Sequence, residues 1–435
     1  MLPPLPSPAN ETPSANWWHR HIIRERTRGN FRRNGVHKMV ELSAVTECDA
    51  RPARWPVYAQ DEIDAVMDVL RSGRVNQWTG DKVVAFERAY DAYLGSGRSI
   101  ALANGSLALE LALLAFKIGP GDEVIVTPRS FVASASCVRL VGATPVFADV
   151  DPDSGNLTLA TVAAVLTPRT RAIIPVHLAG WPVDMPGIMA LARAHNLLVI
   201  EDCAQAHGAF IDGTPIGAFG DAAAFSFCQD KIITTGGEGG LVTFQDDAAY
   251  RWAWSFKDHG KSREKMAAPG GSGFRFVHEM VGTNWRMLEM SAVIGLLQLA
   301  KLPDWREARA ANAAIWMRHI GAIEGIRLPV CADNQLNAFY KLYAYVDGHV
   351  ERANRIRDAV LAHPDAGTLR IFSGSCPELY REGAMCDLGV APLPTAHDLG
   401  LRSLLFEVHP TLEHDELDAR ARRVAGIIAA AMAAA

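Results

Sequence analysis

"SFCQDKIITTGGEGG", residues 226–240, sets one lysine, Lys231, five residues after Ser226 and just ahead of a stretch rich in threonine and glycine. Glycine adopts positive φ at little cost, so such a loop can fold back tightly around the lysine. Taken alone, a lysine beside a turn reads as a solvated loop residue. The segments on either side point elsewhere.

Upstream, short apolar or β-branched runs alternate with helical segments. The runs are "SIALA" at 99–103, "EVIV" at 123–126, "TPVFADV" at 144–150, "TRAIIPV" at 170–176, "LLVIED" at 197–202 and "AAAFSF" at 222–227, with helices expected from Ser106 and Ser130. Strands separated by helical crossovers imply an α/β fold, a mostly parallel sheet covered by helices on both faces. Ligands in such sheets bind beyond the carboxyl ends of the strands, so the residues just past each run carry the chemistry. A long apolar-periodic helix is expected from Met287 until Pro303 interrupts it, with a mixed α and β tail beyond. The expected division is therefore an N-terminal extension over 1–50, a large domain over 51–300 and a smaller C-terminal domain over 301–435.

Gly105 and Ser106 come after the first run and open a helix. Its free N–H groups, its dipole and the serine hydroxyl would favour a phosphate, although an Asn-Gly turn with a capped helix has the same signature. After "EVIV" comes Phe131, placed to cover a planar ligand or to pack in the core. Asp202 ends a run that reads as fully buried, and a buried carboxylate needs a cationic partner, either an arginine or the protonated nitrogen of a bound heterocycle. Gln205 points to the same region if a helical turn comes next. Ser226 and Lys231 complete the edge, the lysine amine serving as nucleophile and base in a desolvated site. Together these are the parts that pyridoxal 5'-phosphate requires: a lysine to bond with, an acid for the ring nitrogen and an anion cradle.

The totals set limits. A chain of 435 residues with 49% hydrophobic content exceeds what one core usually supports. With 43 basic against 48 acidic residues and a net charge of -5, no cationic excess favours nucleic acid. Seven cysteines without a CxxC pair argue against a disulfide framework or a metal site and fit a reducing cytoplasm. No apolar run approaches a membrane span. Residues 1–50 are Pro-rich and then basic and aromatic ("NWWHRHIIRERTRGNFRRNGVHK"), and are expected to be a poorly ordered extension, with Met39 as an alternative start.

The order and spacing of "GDEVIVTPRSFVASAS", "GATPVFADVD", "VIEDCAQAHGA", "SFCQDKIITTGGEGG", "KDHGK" and "GTNWRMLEMSAVIGLLQL" resemble the DegT/StrS sugar aminotransferases, which are fold-type I pyridoxal phosphate enzymes. The resemblance runs from "RWPVYAQDEIDAV" to "VHPTLEHDELD". It implies that Lys231 bonds covalently to the cofactor and that Asp202 pairs with its ring nitrogen. It implies further that Gln205 meets the ring hydroxyl, that Gly105, Ser106 and Ser226 hold the phosphate, and that Phe131 stacks on the ring. Asn284, in "GTNWR", is implied to reach the cofactor of a neighbouring subunit, making a homodimer with shared sites. Ser106 stands where the family more often has threonine, and Cys228-Gln229 where a His-Pro-like pair is commoner. A branch of the family carries histidine in place of the lysine and dehydrates sugars; Lys231 excludes it. The implied reaction moves an amino group from a small donor, glutamate, to a keto sugar attached to a nucleotide, or to a related sugar acid or cyclitol. Two rivals are a non-catalytic cofactor-binding regulator and a cofactor enzyme using a reactive thiol, Cys228 or Cys376, to remove sulfur or carbon dioxide. His177, His207 and His259 either line the pocket or take packing and supporting roles, and are not counted among the catalytic residues.

Overall fold

A computed structural model of the chain describes residues 55–95, 97–269, 274–363, 371–373 and 378–434. The extension expected over 1–50 and Cys376 lie outside the described residues. The described residues all fall within one compact unit.

Fourteen strands are described: β1 (Arg98–Leu102), β2 (Glu123–Val126), β3 (Thr144–Phe147), β4 (Thr170–Ile174), β5 (Leu198–Asp202), β6 (Phe210–Ile211), β7 (Thr214–Pro215), β8 (Ala222–Ser226), β9 (Gly240–Phe244), β10 (Ile326–Arg327), β11 (Gln335–Leu336), β12 (Leu342–Val346), β13 (Ile371–Ser373) and β14 (Ser403–Phe406). Seven of them form the central sheet, in the order β1-β9-β8-β5-β4-β2-β3. The pairs β2 with β3, β2 with β4, β4 with β5 and β5 with β8 are parallel. β9 runs antiparallel to both β1 and β8. The glycine-rich loop after Lys231 is therefore a return connection that feeds a strand back beside the one it left.

Because side chains alternate along a strand, each central strand supplies both faces. Ala101, Ile125, Ile173, Val199, Ala223 and Leu241 enter one buried cluster, while Ile100, Val124, Ala172, Ile200, Ala224 and Val242 enter the other. A fully buried Val or Ile contributes roughly 1.5–3 kcal/mol, so two filled layers hold the sheet between its helices. The C-terminal part builds a second sheet, β10-β12-β14-β13, over a third cluster that includes Trp316, Leu342, Phe406 and Val424.

The helix expected to stop at Pro303 instead runs from Glu289 to Ile320 with the proline inside it. The proline costs about 3 kcal/mol in a helix interior, and tertiary packing offsets it. The helix lies against helices Gln60–Ser72, Lys82–Leu94 and His414–Ala433, burying Leu302, Ala313 and Trp316. Residue 300, the expected domain division, falls in the middle of this helix, which serves the central sheet with one half and the C-terminal sheet with the other. Its first residue, Glu289, is itself buried and accepts hydrogen bonds from the N–H groups of Lys82 (2.7 Å) and Val83 (3.1 Å), closing the start of helix Lys82–Leu94.

Candidate active site

Parallel strands deliver their last residues to one edge of the sheet, and there the candidate residues meet. One cavity of about 550 Å³ is lined by Gly105, Ser106, Phe131, Asp202, Gln205, Ser226 and Lys231 together. Seven of the eight candidates thus converge on a single space. The exception is Asn284, which is exposed and absent from this lining; its Oδ1 faces the Arg286 N–H at 3.5 Å.

At the anion end, helix Gly105–Ala115 starts immediately after β1, and Asn104 caps it by accepting from the Leu107 N–H at 3.0 Å. Asn104, not a serine, is the cap, which frees the Ser106 hydroxyl for the cavity. Gly105 is required here by close approach. A Cβ at that position would stand 2.6 Å from Ser226 Cβ, so only glycine lets the helix start pack onto the end of β8. Ser226 Oγ also lies 3.4 Å from the Cys228 N–H at the start of the lysine turn.

Asp202 is the last residue of β5 and only 4% exposed. The Ser134 hydroxyl donates to its Oδ2 at 2.7 Å and the Ala204 N–H to its Oδ1 at 3.1 Å. Burial pushes its carboxyl above the ordinary carboxylate range, against these two hydrogen bonds and the charge of Lys231. Among the described residues no ammonium or guanidinium lies within ion-pair distance of it. A buried carboxylate that faces a cavity with no cation in ion-pair distance fits a ligand that brings its own proton, such as the ring nitrogen of pyridoxal phosphate. Gln205 presents its Oε1 to the Ala179 N–H at 2.7 Å, which leaves its amide nitrogen as the donor end for the cavity. Phe131 stands two residues before helix Ala133–Leu140, not within it, and is 66% exposed at the mouth.

Lys231 lies between two spaces. A second cavity, about 510 Å³, shares Ser130, Phe131, Gln205, Asp230 and Lys231 with the first and adds Tyr340, Lys341 and Tyr343 from the C-terminal part. The lysine Nζ is 3.7 Å from Asp230 Oδ1 and 4.9 Å from the centre of the Tyr340 ring. Burial opposes ionisation of Asp230, yet Lys231, the Tyr340 hydroxyl that donates to it, and Lys341 together hold its carboxyl below its ordinary value. The amine is thus steadied by a carboxylate and an aromatic face.

His207 and His177 behave as packing groups. His207 is buried between Tyr90 and the Ser226 carbonyl (2.7 and 2.9 Å), and burial takes its pKa down to about 4, so it is neutral. His177 is fully buried with its Nδ1 accepting from the Val183 N–H at 3.0 Å, and His259 is exposed. The Cys228 thiol is pushed up by burial and by Glu238 and Asp230, the opposite of an activated thiolate. Sequence reading missed Ser130, Ser134, Asp230 and Tyr340. Ser134 was visible only as the second small residue of "ASAS", and Tyr340 lies more than a hundred residues from the lysine it faces.

The pattern of the DegT/DnrJ/EryC1/StrS aminotransferase family matches residues 56–424. The chain is 41% identical over 339 residues to the UDP-N-acetyl-3-dehydro-alpha-D-glucosamine 3-aminotransferase of Acidithiobacillus ferrooxidans, covering 78% of this chain and 86% of that one. It is 35% identical to the dTDP-3-amino-3,4,6-trideoxy-alpha-D-glucose transaminase of Streptomyces venezuelae, covering 81% and 88%. Among solved structures, the aminotransferase from Psychrobacter cryohalolentis superposes with a TM-score of 0.82 at 46% identity, covering 87% of this chain and 99% of that one.

Proposed function

From the premise that this chain belongs to the DegT/DnrJ/EryC1/StrS aminotransferase family and is a pyridoxal phosphate-dependent transaminase, we propose that it moves an amino group from glutamate to a keto sugar carried on a nucleotide. The observation that carries this reading is that Lys231, alone among the described lysines, lines both cavities. Similarity to transaminases of UDP- and dTDP-linked sugars supports the acceptor class.

When bound, pyridoxal phosphate supplies the electron sink through which an amino group passes between two carbon skeletons. The residues of this chain do the rest. The N–H groups at the start of helix Gly105–Ala115, with the hydroxyls of Ser106 and Ser226, hold the phosphate. The ionised Asp202 carboxylate would pair with the protonated ring nitrogen and keep it protonated, and Ser134 and the Ala204 N–H keep that carboxylate aimed. Phe131 covers one ring face, and the Gln205 amide meets the ring hydroxyl. Lys231 Nζ would hold the cofactor covalently at rest and, once freed by the incoming amine, would be the base that carries a proton between the substrate carbon and the cofactor carbon. Asp230 and Tyr340 hold the freed amine near both cavities.

The reading extends to a homodimer in which Asn284 completes the partner's phosphate site. Three observations support it: Asn284 is exposed, it does not line its own cavity although the neighbouring Trp285 carbonyl accepts from the Ala103 N–H beside it at 3.0 Å, and its segment carries Phe274, Phe276 and Val281 at 84, 80 and 91% exposure. Apolar side chains so exposed on one segment suit burial against a second copy. Among the described residues no helix is long and apolar enough to cross a membrane, and the five described cysteines are unpaired, which supports a cytoplasmic setting.

The test is the isolated half reaction. Glutamate added to the cofactor-loaded enzyme without acceptor should convert the bound cofactor to its amine form, and a nucleotide-linked keto sugar should reverse the change. Conversion by glutamine but not glutamate would reassign the donor. Failure of every nucleotide-linked keto sugar to restore the starting spectrum would remove the proposed acceptor class.

A further inference from the structure

A lysine side chain has four rotatable carbon–carbon bonds, so its amine is only as well placed as the peptide that carries it. In this chain both polar groups of that peptide are tied. The Lys231 N–H donates to the Cys228 carbonyl at 3.0 Å, a bond local to the turn. The Lys231 carbonyl accepts from the Trp55 indole N–H at 2.7 Å, a bond that crosses 176 residues to the first part of the described chain.

Trp55 is itself held on two sides. Its ring meets the edge of Trp305 at a centroid distance of 4.9 Å, and the Arg309 guanidinium stacks over it at 5.0 Å. Arg309 is 1% exposed and donates through one nitrogen to the carbonyls of Phe339 (3.4 Å) and Tyr340 (3.3 Å). Its Nε and Nη2 have no hydrogen-bond partner among the described residues, so the ring face of Trp55 adds a charge-stabilising contact to those two carbonyls. Tyr340 closes the ring, because its hydroxyl donates to Asp230 and its face lies under Lys231 Nζ. Backbone and amine of one lysine are thus gripped by a single connected set: Trp55, Arg309, Tyr340 and Asp230.

We propose that Trp55 is a positioning residue for Lys231, its indole N–H fixing the lysine peptide so that the amine reaches the junction of the two cavities. The role is separable from cofactor binding. Trp55 lines neither cavity, and the phosphate donors and Asp202 belong to other elements. The inference rests on Lys231 being the residue that bonds to the cofactor.

Trp55→Phe keeps an aromatic face for Arg309 and Trp305 and removes only the N–H. Stopped-flow absorbance should show the covalent step between added pyridoxal phosphate and the lysine slowed about tenfold, the loss expected for one buried hydrogen bond. In a Lys231→Ala background, the same substitution should leave the dissociation constant for non-covalent pyridoxal phosphate within twofold. A general structural role would weaken binding in both backgrounds and would overturn the proposal, as would a covalent rate equal to wild type. Trp305→Leu, which loosens the indole without deleting its N–H, serves if Trp55→Phe does not fold. It should slow the covalent step two- to threefold and spare the Lys231→Ala background, and an equal effect in both overturns the tether. A covalent adduct persisting in Lys231→Ala alone would fell the lysine assignment and the tether with it, an outcome distinguishable from failure of the tether alone.

Discussion

The Ser134 hydroxyl lies 2.7 Å from Asp202 Oδ2 and also 2.7 Å from the Ser130 hydroxyl, so a chain of two serines ends on the buried carboxylate. The bond favours the charged form of a group that burial drives toward neutrality. Structure thus counteracts desolvation at the one acid that must stay ionised beside a cofactor ring.

Ser134→Ala should therefore raise the Asp202 pKa further. Activity needs the ionised carboxylate, so it should fall away at higher pH on the acid side than in wild type, with kcat at neutral pH about ten- to a hundredfold lower, as for a lost hydrogen bond to a charged group. The pH profile of kcat checks this. An acid limb superimposable on that of wild type would show that Ser134 does not act through Asp202.

Asp202→Asn should separate stability from function. For an acid whose folded pKa is raised above its unfolded value, ionisation costs stability as pH rises through that interval and the cost persists above it. A neutral amide removes the cost. The cofactor-free variant should melt above cofactor-free wild type at neutral pH, by about 1 °C per kcal/mol relieved, and the gap should close toward pH 3–4, near the ordinary Asp range of about 3.9. Activity should drop on the order of a hundredfold or more, because a neutral amide lacks the charge that keeps the ring nitrogen protonated. Scanning calorimetry across pH and the half reaction measure the two effects separately.

Much of the site was legible in sequence because its residues sit at strand ends. Lys231, Asp202, Ser226 and Gly105 lie within a few residues of apolar runs that announce themselves, and parallel connectivity brings strand ends together whatever the loops do. The parts that were not legible depend on contacts across the chain. Ser134 meets Asp202 across 68 residues, and Trp55 meets Lys231 across 176. The continuity of the helix through Pro303 was hidden for the same reason, since local propensity opposes it and packing against three helices decides it. β9 was overlooked because "GGLVTF" begins inside a stretch that reads as loop. Its first residue needs glycine, since a Cβ on Gly240 would meet the Asn104 carbonyl oxygen at 2.1 Å.

Asn284 offers a test of shared sites. If it serves the partner's cofactor, Lys231→Ala and Asn284→Ala lie in different chains of each site, and a mixed dimer carries one site with both lesions and one with neither. Each mixed dimer therefore has half its sites intact, so double-tagged dimers should recover roughly half of wild-type activity, and an unfractionated random mixture roughly a quarter. The measurement uses differently tagged variants co-expressed and assayed after purification on both tags. With Asn284→Ala inactive alone, verified mixed dimers that stay inactive would place Asn284 and Lys231 in the same site of one chain.

The most direct measurement is the identity of the lysine that bonds to the cofactor. The enzyme loaded with pyridoxal phosphate, reduced with borohydride and digested, should yield one pyridoxyl-modified peptide, carrying the modification on Lys231, and Lys231→Ala should yield none. Modification of Lys341, which lines the adjoining cavity, or of any other lysine in place of Lys231 would contradict the site described here.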